Sequence, residues 1–245
     1  MNLLTAEKPR DWIEYWNQDD FWTHSRLWRI NAELFFRRAA PIVHFKKTDS
    51  VLNVGCGLGY LETQLTLLVE SVYALDTSER FINLCQENCR GYQNVTIKLQ
   101  GKNYTDLSVC GKRFSLILCV SLVQYYRDIG EVEDLIRSAR EIALPGARML
   151  IADLPQKRGV LGFTWDAWCS FLLSVQESDT PLFLRTAGDW FGKRLENGRF
   201  YNNLKPLYFS NDDLLNLIQR MKLNATIIKE NFSVYANRPS LLIYF

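Results

Sequence analysis

Three alternate glycines that follow a short apolar strand and precede a helix have the clearest chemical meaning in this chain. Residues 51–60 read VLNVGCGLGY; because Gly55, Gly57 and Gly59 lack a Cβ, the backbone can turn sharply and approach a bound group closely. The helix predicted over about residues 59–69 points unpaired N–H groups and the positive end of its dipole at that position. The junction therefore favours the carboxylate or phosphate of a nucleoside-bearing ligand, although an ordinary tight connection has the same pattern.

An acidic residue ends the next apolar strand. Asp76 follows the run SVYAL and is followed by Thr77 and Ser78 at the start of another predicted helix, which runs through residues 81–89. In nucleotide-binding βαβ units, an acidic side chain at this place accepts hydrogen bonds from ribose hydroxyls. The alternative is that Asp76 or Thr77 caps the helix, and the two interpretations are compatible.

The elements that position these residues alternate between strand and helix, which predicts an α/β fold. Apolar runs that are nearly continuous suit a parallel sheet covered on both faces. A helix over 131–143 is expected to stop at Leu144-Pro145-Gly146. The last two strands have no room for a helix between them and must form an antiparallel hairpin. The strands are predicted over residues 51–54, 72–75, 95–99, 114–120, 148–152, 225–228 and 240–245.

The predicted fold class is a doubly wound, mostly parallel seven-stranded sheet with an antiparallel C-terminal hairpin strand, N-terminal helices and an inserted helical lobe. A chain of 245 residues that is 47% hydrophobic can bury one substantial core. We divide it into an N-terminal helical cap (1–48), a core (49–155 and 210–245) and an inserted substrate-recognition lobe (156–209). The apolar side of the lobe also suits a second subunit, so a homodimer is an expectation.

Charge and composition narrow the partners. The chain has 29 Lys and Arg against 27 Asp and Glu, a net charge of +2, so no nucleic-acid partner is expected. Charged residues interrupt the first twenty positions, and no apolar run is long enough for a membrane span, which predicts a cytoplasmic protein. The six cysteines lack paired spacing, so reduced thiols and no metal site are expected.

Several motifs in order resemble a class I S-adenosylmethionine-dependent methyltransferase. They are the glycine segment 51–60, Asp76, the strand 114–120 followed by SLVQYY, and LPGAR before a strand. The resemblance covers about residues 45–155 and the closing hairpin. It implies S-adenosylmethionine as the cofactor, with methyl transfer to an oxygen or nitrogen of a small-molecule acceptor such as a sugar, a lipid-linked compound or a secondary metabolite.

The resemblance also implies site residues by position. In the family the glycine loop meets the methionine part of the cofactor, the acidic residue holds the ribose, and residues after the fourth strand line the methyl-donor pocket. Asn53 departs from the family, which often has an acidic residue at this position. After the third strand, Gly101-Lys102-Asn103 stands where the family commonly has Gly-Asp. Lys102 cannot accept a hydrogen bond, so Asn103 or the backbone would have to contact the adenine. The other cofactor-binding positions are Gly55, Cys56, Gly57, Gly59, Asp76, Thr77, Cys119, Val120 and Ser121.

The sulfonium of the cofactor already activates its methyl group, so the chain need not supply a nucleophile, but a hydroxyl acceptor benefits from a general base, for which there are few candidates. His24 has a suitable near-neutral pKa, and Asp153 ends the fifth strand, where open α/β sheets bind ligands. A solvated helix histidine and a turn residue are the respective alternatives. Trp16 and Trp22 are expected to cap the cofactor pocket.

Two further functions stay open at this point. One is a noncatalytic cofactor-binding or interaction subunit, and the other is a protein methyltransferase. Methylation of a nucleic-acid exocyclic amine is disfavoured, because Ser121-Leu122-Val123-Gln124 stands where an Asn-Pro-Pro-Tyr type of sequence would follow the fourth strand. A dehydrogenase is disfavoured by the glycine spacing and by the terminal hairpin.

Overall fold

The computed structural model describes residues 9–18, 26–159 and 204–245, and between the last two ranges only Gly162, Asp166, Cys169 and Leu172. Within these residues a seven-stranded sheet carries helices on both faces. The helices are α1 (Trp12–Gln18), α2 (Arg26–Val43), α3 (Tyr60–Leu68), α4 (Glu79–Asn88), α5 (Ile129–Glu141) and α6 (Asn211–Arg220). The strands are β1 (Ser50–Val54), β2 (Ser71–Asp76), β3 (Val95–Leu99), β4 (Phe114–Val120), β5 (Ala143–Ala152), β6 (Asn224–Ile228) and β7 (Ser240–Tyr244).

The strand order is β3-β2-β1-β4-β5-β7-β6. Strands β1 to β5 pair in parallel, whereas β7 is antiparallel to both β5 and β6, which confirms the predicted hairpin. The order reverses between β1 and β4, and open α/β sheets bind ligands at the carboxyl ends of strands at such a switch point. The glycine segment and Ser121 both follow strands at this edge.

Apolar clusters cover both faces of the sheet. Leu52 of β1 belongs to the cluster under α5 and α6, whereas its neighbour Val51 belongs to the cluster under α2 and α3. Successive strand residues point to opposite faces, so a strand buried on both sides is apolar at nearly every position. This is the physical reason that the apolar runs predicted the strands of the parallel sheet.

The structure corrects the predicted boundary between α5 and β5. The helix begins two residues before Glu131, with Asp128 as its N-cap, and ends at Glu141. The Leu144-Pro145-Gly146 sequence, expected to stop the helix, instead lies inside β5, where the pairing with β4 shifts register. A bulge tolerates a proline without an N–H and a glycine at φ +73°, so these residues mark an irregular strand.

The segment predicted as an inserted lobe leaves and rejoins the core at one place. Phe209 pairs with Gln156 in an isolated parallel bridge, and its N–H donates to the carbonyl of Pro155 at 2.8 Å. Most of 156–209 lies outside the described residues, so its role as a substrate-recognition lobe stays a prediction. In the described part of the chain, no helix is both long and apolar enough to cross a membrane.

Candidate cofactor and acceptor site

The turn between β1 and α3 holds all three alternate glycines in the left-handed region, with φ of +79° at Gly55, +54° at Gly57 and +81° at Gly59. A Cβ on Gly59 would lie 2.7 Å from Sγ and 3.1 Å from Cα of Cys85 on α4. Only glycine combines this backbone conformation with so close an approach. Gly59 is also the N-cap of α3 and offers no capping side chain, which leaves first-turn N–H groups for a ligand.

Asp76, at the end of β2, joins the glycine turn to the next turn of the chain. Its Oδ2 accepts the N–H of Gly57 and its Oδ1 accepts the N–H of Ser78, both at 2.9 Å. Burial raises the pKa of Asp76, although the backbone N–H groups that it accepts, including that of Thr77, oppose the shift. Each carboxylate oxygen keeps a further lone pair, so two adjacent hydroxyls can still be bound.

The helix-capping alternative for Asp76 and Thr77 is wrong. Ser78 is the N-cap of α4, and its hydroxyl accepts the N–H of Phe81 at 3.2 Å. The helix consequently begins at Glu79, directly after the Thr77-Ser78 pair expected at its start. Asp76 is therefore left to support the two turns and any ligand between them.

The N-terminal helices cover this edge with aromatic rings. Trp16 on α1 lies 6.0 Å from the ring of Trp28 on α2, 5.6 Å from Phe81 and 5.5 Å from Tyr125, measured between ring centroids. Trp28 in turn lies 3.0 Å from where a Cβ on Gly57 would stand. Trp16 is thus placed beside the glycine turn, whereas Trp22 and His24 lie outside the described residues.

Ser121 and Asp153, which follow β4 and β5, contact each other at the same edge. Both have a left-handed backbone, with φ of +53° and +63°. The Ser121 hydroxyl donates to Oδ2 of Asp153 at 2.7 Å, and the Ser233 hydroxyl donates to Oδ1 at 3.0 Å. Burial raises the pKa of Asp153, whereas the charge of Arg238 and the two hydroxyl groups lower it.

Cys119 and Val120, the last residues of β4, contribute differently from Ser121. Cys119 is fully buried in the apolar cluster under α5, between β1 and β5, so its contact with the cofactor stays a prediction. Val120 is partly buried against the opposite cluster. Cys56, in the glycine turn, is also buried, with its Sγ 3.9 Å from the carbonyl of Gly57.

Three polar residues of this edge escaped sequence reasoning. Arg238 donates to Oε1 of Gln124 at 3.1 Å, and Nε2 of Gln124 donates to the carbonyl of Ser121 at the same distance. Ser233 and Arg238 come from the loop between β6 and β7, which the antiparallel hairpin returns to the carboxyl end of β5. Their place in that loop is the signal from which the sequence could have located them.

Asn103, proposed for the adenine, lies in the loop after β3. Its side chain is exposed, and Oδ1 accepts the hydroxyl of Thr105 at 3.3 Å. Gln100, earlier in the same loop, is buried and donates from Nε2 to the carbonyl of Tyr104 at 2.7 Å. The adenine contact of Asn103 stays a prediction.

A buried polar pair lies beneath the glycine turn, where Asn53 replaces the acid common in the family. Nδ2 of Asn53 donates to Oε1 of Glu62 on α3 at 2.6 Å, and both side chains are fully buried. Burial raises the pKa of Glu62 to about 7. Sequence reasoning missed Glu62, because an acid in the first turn of a helix usually faces solvent.

Comparison with known proteins identifies the unit that carries this site. A family model described as a methyltransferase domain matches residues 51–146, which include the glycine turn, Asp76 and Ser121. Residues 51–146 therefore match a methyltransferase domain, and the sheet that contains them has the fold of S-adenosylmethionine-dependent methyltransferases. The domain family and the fold together imply S-adenosylmethionine as the cofactor.

The individual relatives are distant. The probable cobalt-precorrin-6B C(15)-methyltransferase (decarboxylating) of Saccharolobus solfataricus is 29% identical over 114 residues, 44% of this chain and 54% of that protein. The demethylmenaquinone methyltransferase of Tropheryma whipplei is 25% identical over 122 residues, 50% of this chain and 48% of that protein. The chain therefore spans about half the length of these curated relatives. A solved S-adenosylmethionine-dependent methyltransferase from Aquifex aeolicus shares the fold, with a TM-score of 0.53 and 14% identity over 90% of this chain and 92% of that one.

The geometry of the methyltransferase domain fits its cofactor. Gly57 and Gly59 add no side chain of their own to the turn, and Asp76 presents a carboxylate beside it. A turn of this kind admits the methionine part of the cofactor, and a carboxylate at the end of β2 suits two ribose hydroxyls. Asp76 and the glycine turn are therefore the residues that would hold the cofactor.

Proposed function

We propose that this chain transfers the methyl group of S-adenosylmethionine to an oxygen or nitrogen of a small-molecule acceptor. The main support is the junction of the glycine turn with Asp76, which the hydrogen bond from Gly57 holds at 2.9 Å. The curated relatives named above carry names with small-molecule acceptors, cobalt-precorrin-6B and demethylmenaquinone. A cytoplasmic location and a homodimer formed through residues 156–209 stay predictions.

On the donor side, this chain binds the cofactor, orients its methyl group and excludes water. When bound, S-adenosylmethionine supplies a methyl group that its sulfonium activates for displacement. Asp76 accepts the ribose hydroxyls, while Trp16 and Trp28 cover the glycine turn with apolar surface. Holding donor and acceptor in line is worth at most about 7 to 11 kcal/mol of the barrier.

On the acceptor side, Ser121 and Asp153 form a route for a proton. Asp153 is 2% exposed, so an acceptor hydroxyl reaches it through the half-buried Ser121. In this proposal the acceptor proton passes to Oγ of Ser121 as the Ser121 proton passes to Oδ2 of Asp153, across the 2.7 Å hydrogen bond. A general base of this kind contributes about 10²- to 10⁴-fold. His24 remains the second proposed base.

The test of this function separates binding from turnover. Asp76→Asn removes the carboxylate charge and leaves an amide facing the N–H groups of Gly57 and Ser78. We expect donor affinity in calorimetry to fall about 10- to 100-fold, since a hydrogen bond to a charged group contributes about 1.5 to 3 kcal/mol. The matched control is Asp134→Asn on α5, whose side chain is 59% exposed in a surface ion pair and whose loss should leave affinity unchanged.

The acceptor is then sought by incubating the wild-type protein with donor and small-molecule libraries and measuring S-adenosylhomocysteine. Acceptor-dependent product supports the enzyme. Donor binding without product across alcohol, phenol and amine libraries would instead favour a noncatalytic binding subunit. Equal donor affinity in the Asp76→Asn and wild-type proteins would remove Asp76 from the site.

A further inference from the structure

One hydrogen bond joins the buried side chains of Asn53 and Glu62. One oxygen of each side chain has no hydrogen-bond partner in the part of the chain that the structure describes. Nδ2 of Asn53 donates to Oε1 of Glu62 at 2.6 Å. Among the described residues, neither Oδ1 of Asn53 nor Oε2 of Glu62 has a hydrogen-bond partner, and both atoms are buried. Buried polar atoms without partners are rare in folded proteins, so this pair requires a chemical explanation.

The two unpartnered oxygens belong to groups that already share a bond. An amide oxygen and a carboxylate oxygen are both acceptors, so they cannot pair while Glu62 is ionised. A proton on Oε2 makes Glu62 a donor to Oδ1 of Asn53, and the amide and acid then close a ring of two hydrogen bonds. With Glu62 neutral, both oxygens that lack a partner in the ionised form are hydrogen-bonded.

The surroundings oppose a negative charge on Glu62. Asp76 faces it from β2, Cys56 from the glycine turn, and Cys85 and Cys89 from α4. On α2, the other element against α3, Arg29 and Glu33 are exposed and form an ion pair with each other. Desolvation, with a smaller contribution from the charge of Asp76, raises the pKa of Glu62 to about 7, although the Asn53 amide and the backbone N–H of Glu62 itself oppose this shift.

We propose that Glu62 is a neutral acid paired with Asn53 in the donor-free protein, and that binding of S-adenosylmethionine drives its proton into solvent. The inference rests on the proposed donor site and adds a positioning residue to it. The donor carries a sulfonium, an ammonium and a carboxylate, so its binding would bring net positive charge to the turn beside Glu62, and nearby positive charge favours the ionised form of a carboxyl group. Glu62 thereby supplies the negative charge that Asn53 lacks, and the carboxyl group goes from –COOH to –COO⁻ with release of one proton.

The donor-free half of this proposal is tested by stability. Glu62→Gln can form the same two-bonded ring without ever ionising. The wild-type protein loses stability as pH rises from the unfolded pKa of about 4.5 to the folded value of about 7. Between pH 5 and pH 8 in urea unfolding, its folding equilibrium constant should therefore fall on the order of 10- to 100-fold relative to Glu62→Gln.

The control for charge removal is Glu70→Gln, an exposed residue just after α3. Its stability should follow the wild-type protein at every pH. Parallel pH profiles of the wild-type and Glu62→Gln proteins would overturn the neutral-acid assignment.

The donor-bound half is tested by proton counting. Calorimetry with S-adenosylmethionine at pH 6.5, below the pKa of a free α-amino group, is run in phosphate and in Tris. Wild-type and Glu70→Gln proteins should release a measurable fraction of one proton, and their donor affinity should rise up to about tenfold from pH 6 to pH 8. Glu62→Gln should release none, and its affinity should change less.

The outcomes distinguish this inference from the proposed function. Donor binding without proton release by the wild-type protein overturns the inference alone, and this measurement needs no variant to fold. Failure of the folded wild-type protein to bind donor at any pH overturns the proposed function and the donor-bound half with it. The urea measurements then still decide whether Glu62 is neutral.

Discussion

Gly59 shows how the absence of one carbon atom fixes the geometry of the donor turn. Its φ of +81° is costly for any residue with a Cβ, and the position of that Cβ is already filled by Cys85. Gly91, in contrast, is exposed, and nothing lies within 4 Å of where its Cβ would stand. The fold therefore requires glycine at position 59 but not at position 91.

We therefore expect Gly59→Ala to lower the free energy of unfolding by about 1 to 3 kcal/mol, the cost of a strained backbone position. Donor affinity should fall with it, because the turn must shift away from α4. Urea unfolding and donor calorimetry measure the two effects. Gly91→Ala is the control and should stay within about 0.5 kcal/mol of the wild-type protein. Wild-type stability and affinity in Gly59→Ala would show that the turn adapts freely.

Sequence reasoning at the residue scale succeeded where the signal is local. The glycines and Asp76 lie next to strands, so chain order alone predicted that they would meet. The partnership of Asn53 with Glu62 depends on how α3 folds back over β1, and that of Asp153 with Ser233 depends on the hairpin. Such contacts are set by tertiary packing, which a single sequence does not display.

At the scale of elements, α1 depends on its neighbours. A helix of seven residues is unstable alone, and none of its side chains is fully buried. It is held by ring contacts of Trp16, by Trp12 at 4.9 Å from Tyr125, and by a 2.8 Å hydrogen bond between Asn17 and Ser78. Because the same contacts lie beside the glycine turn, docking of α1 and retention of the donor should be coupled.

Trp16→Ala should accordingly weaken donor binding about 5- to 20-fold, mainly through faster dissociation. Aromatic contacts are worth about 0.5 to 1.5 kcal/mol each, and among the described residues the loss of the ring removes three contacts outside α1, only part of whose free energy acts on the donor. Stopped-flow displacement of bound donor measures the rate. Gln18→Ala, an exposed position on the same helix, should dissociate donor at the wild-type rate. Equal rates in both variants would mean that α1 does not cover the donor.

Strand prediction illustrates the same limit at the element scale. Apolar runs located the strands of the sheet because both faces are covered, and the short connection between the last two strands predicted their antiparallel pairing. The start of β5 was predicted wrongly, since Pro145 and Gly146 usually end an element. A bulge against β4 accommodates them, and bulges have no distinctive pattern in the sequence.

At the scale of the whole molecule, one buried ion pair joins the N-terminal helices to the sheet. Arg148 of β5 contacts Asp49 through Nη2 and Oδ2 at 2.6 Å, and both side chains are buried. Its Nε and Nη2 also donate to the carbonyls of Val43 and His44 at 2.8 Å, where α2 ends. The guanidinium therefore fixes the end of α2 against β1 and β5, and α2 in turn carries Trp28 to the glycine turn.

Asp49→Asn should lower the free energy of unfolding at pH 7 by about 3 to 5 kcal/mol, because it leaves the buried Arg148 without its counter-charge. Burial alone would raise the pKa of Asp49, but the hydrogen bonds from Arg148, the Lys46 N–H and Ser115 outweigh it and lower the pKa. Stabilisation from a lowered pKa is present above the ordinary value of about 4 and is lost as pH falls through the folded value. The gap between the wild-type and Asp49→Asn proteins should therefore narrow below about pH 4 in urea unfolding. The exposed pair of Asp134 and Arg137 is the control. Asp134→Asn should lower the free energy of unfolding by less than about 1 kcal/mol at every pH. An equal loss of stability in Asp49→Asn and Asp134→Asn would contradict the structural role of the buried pair.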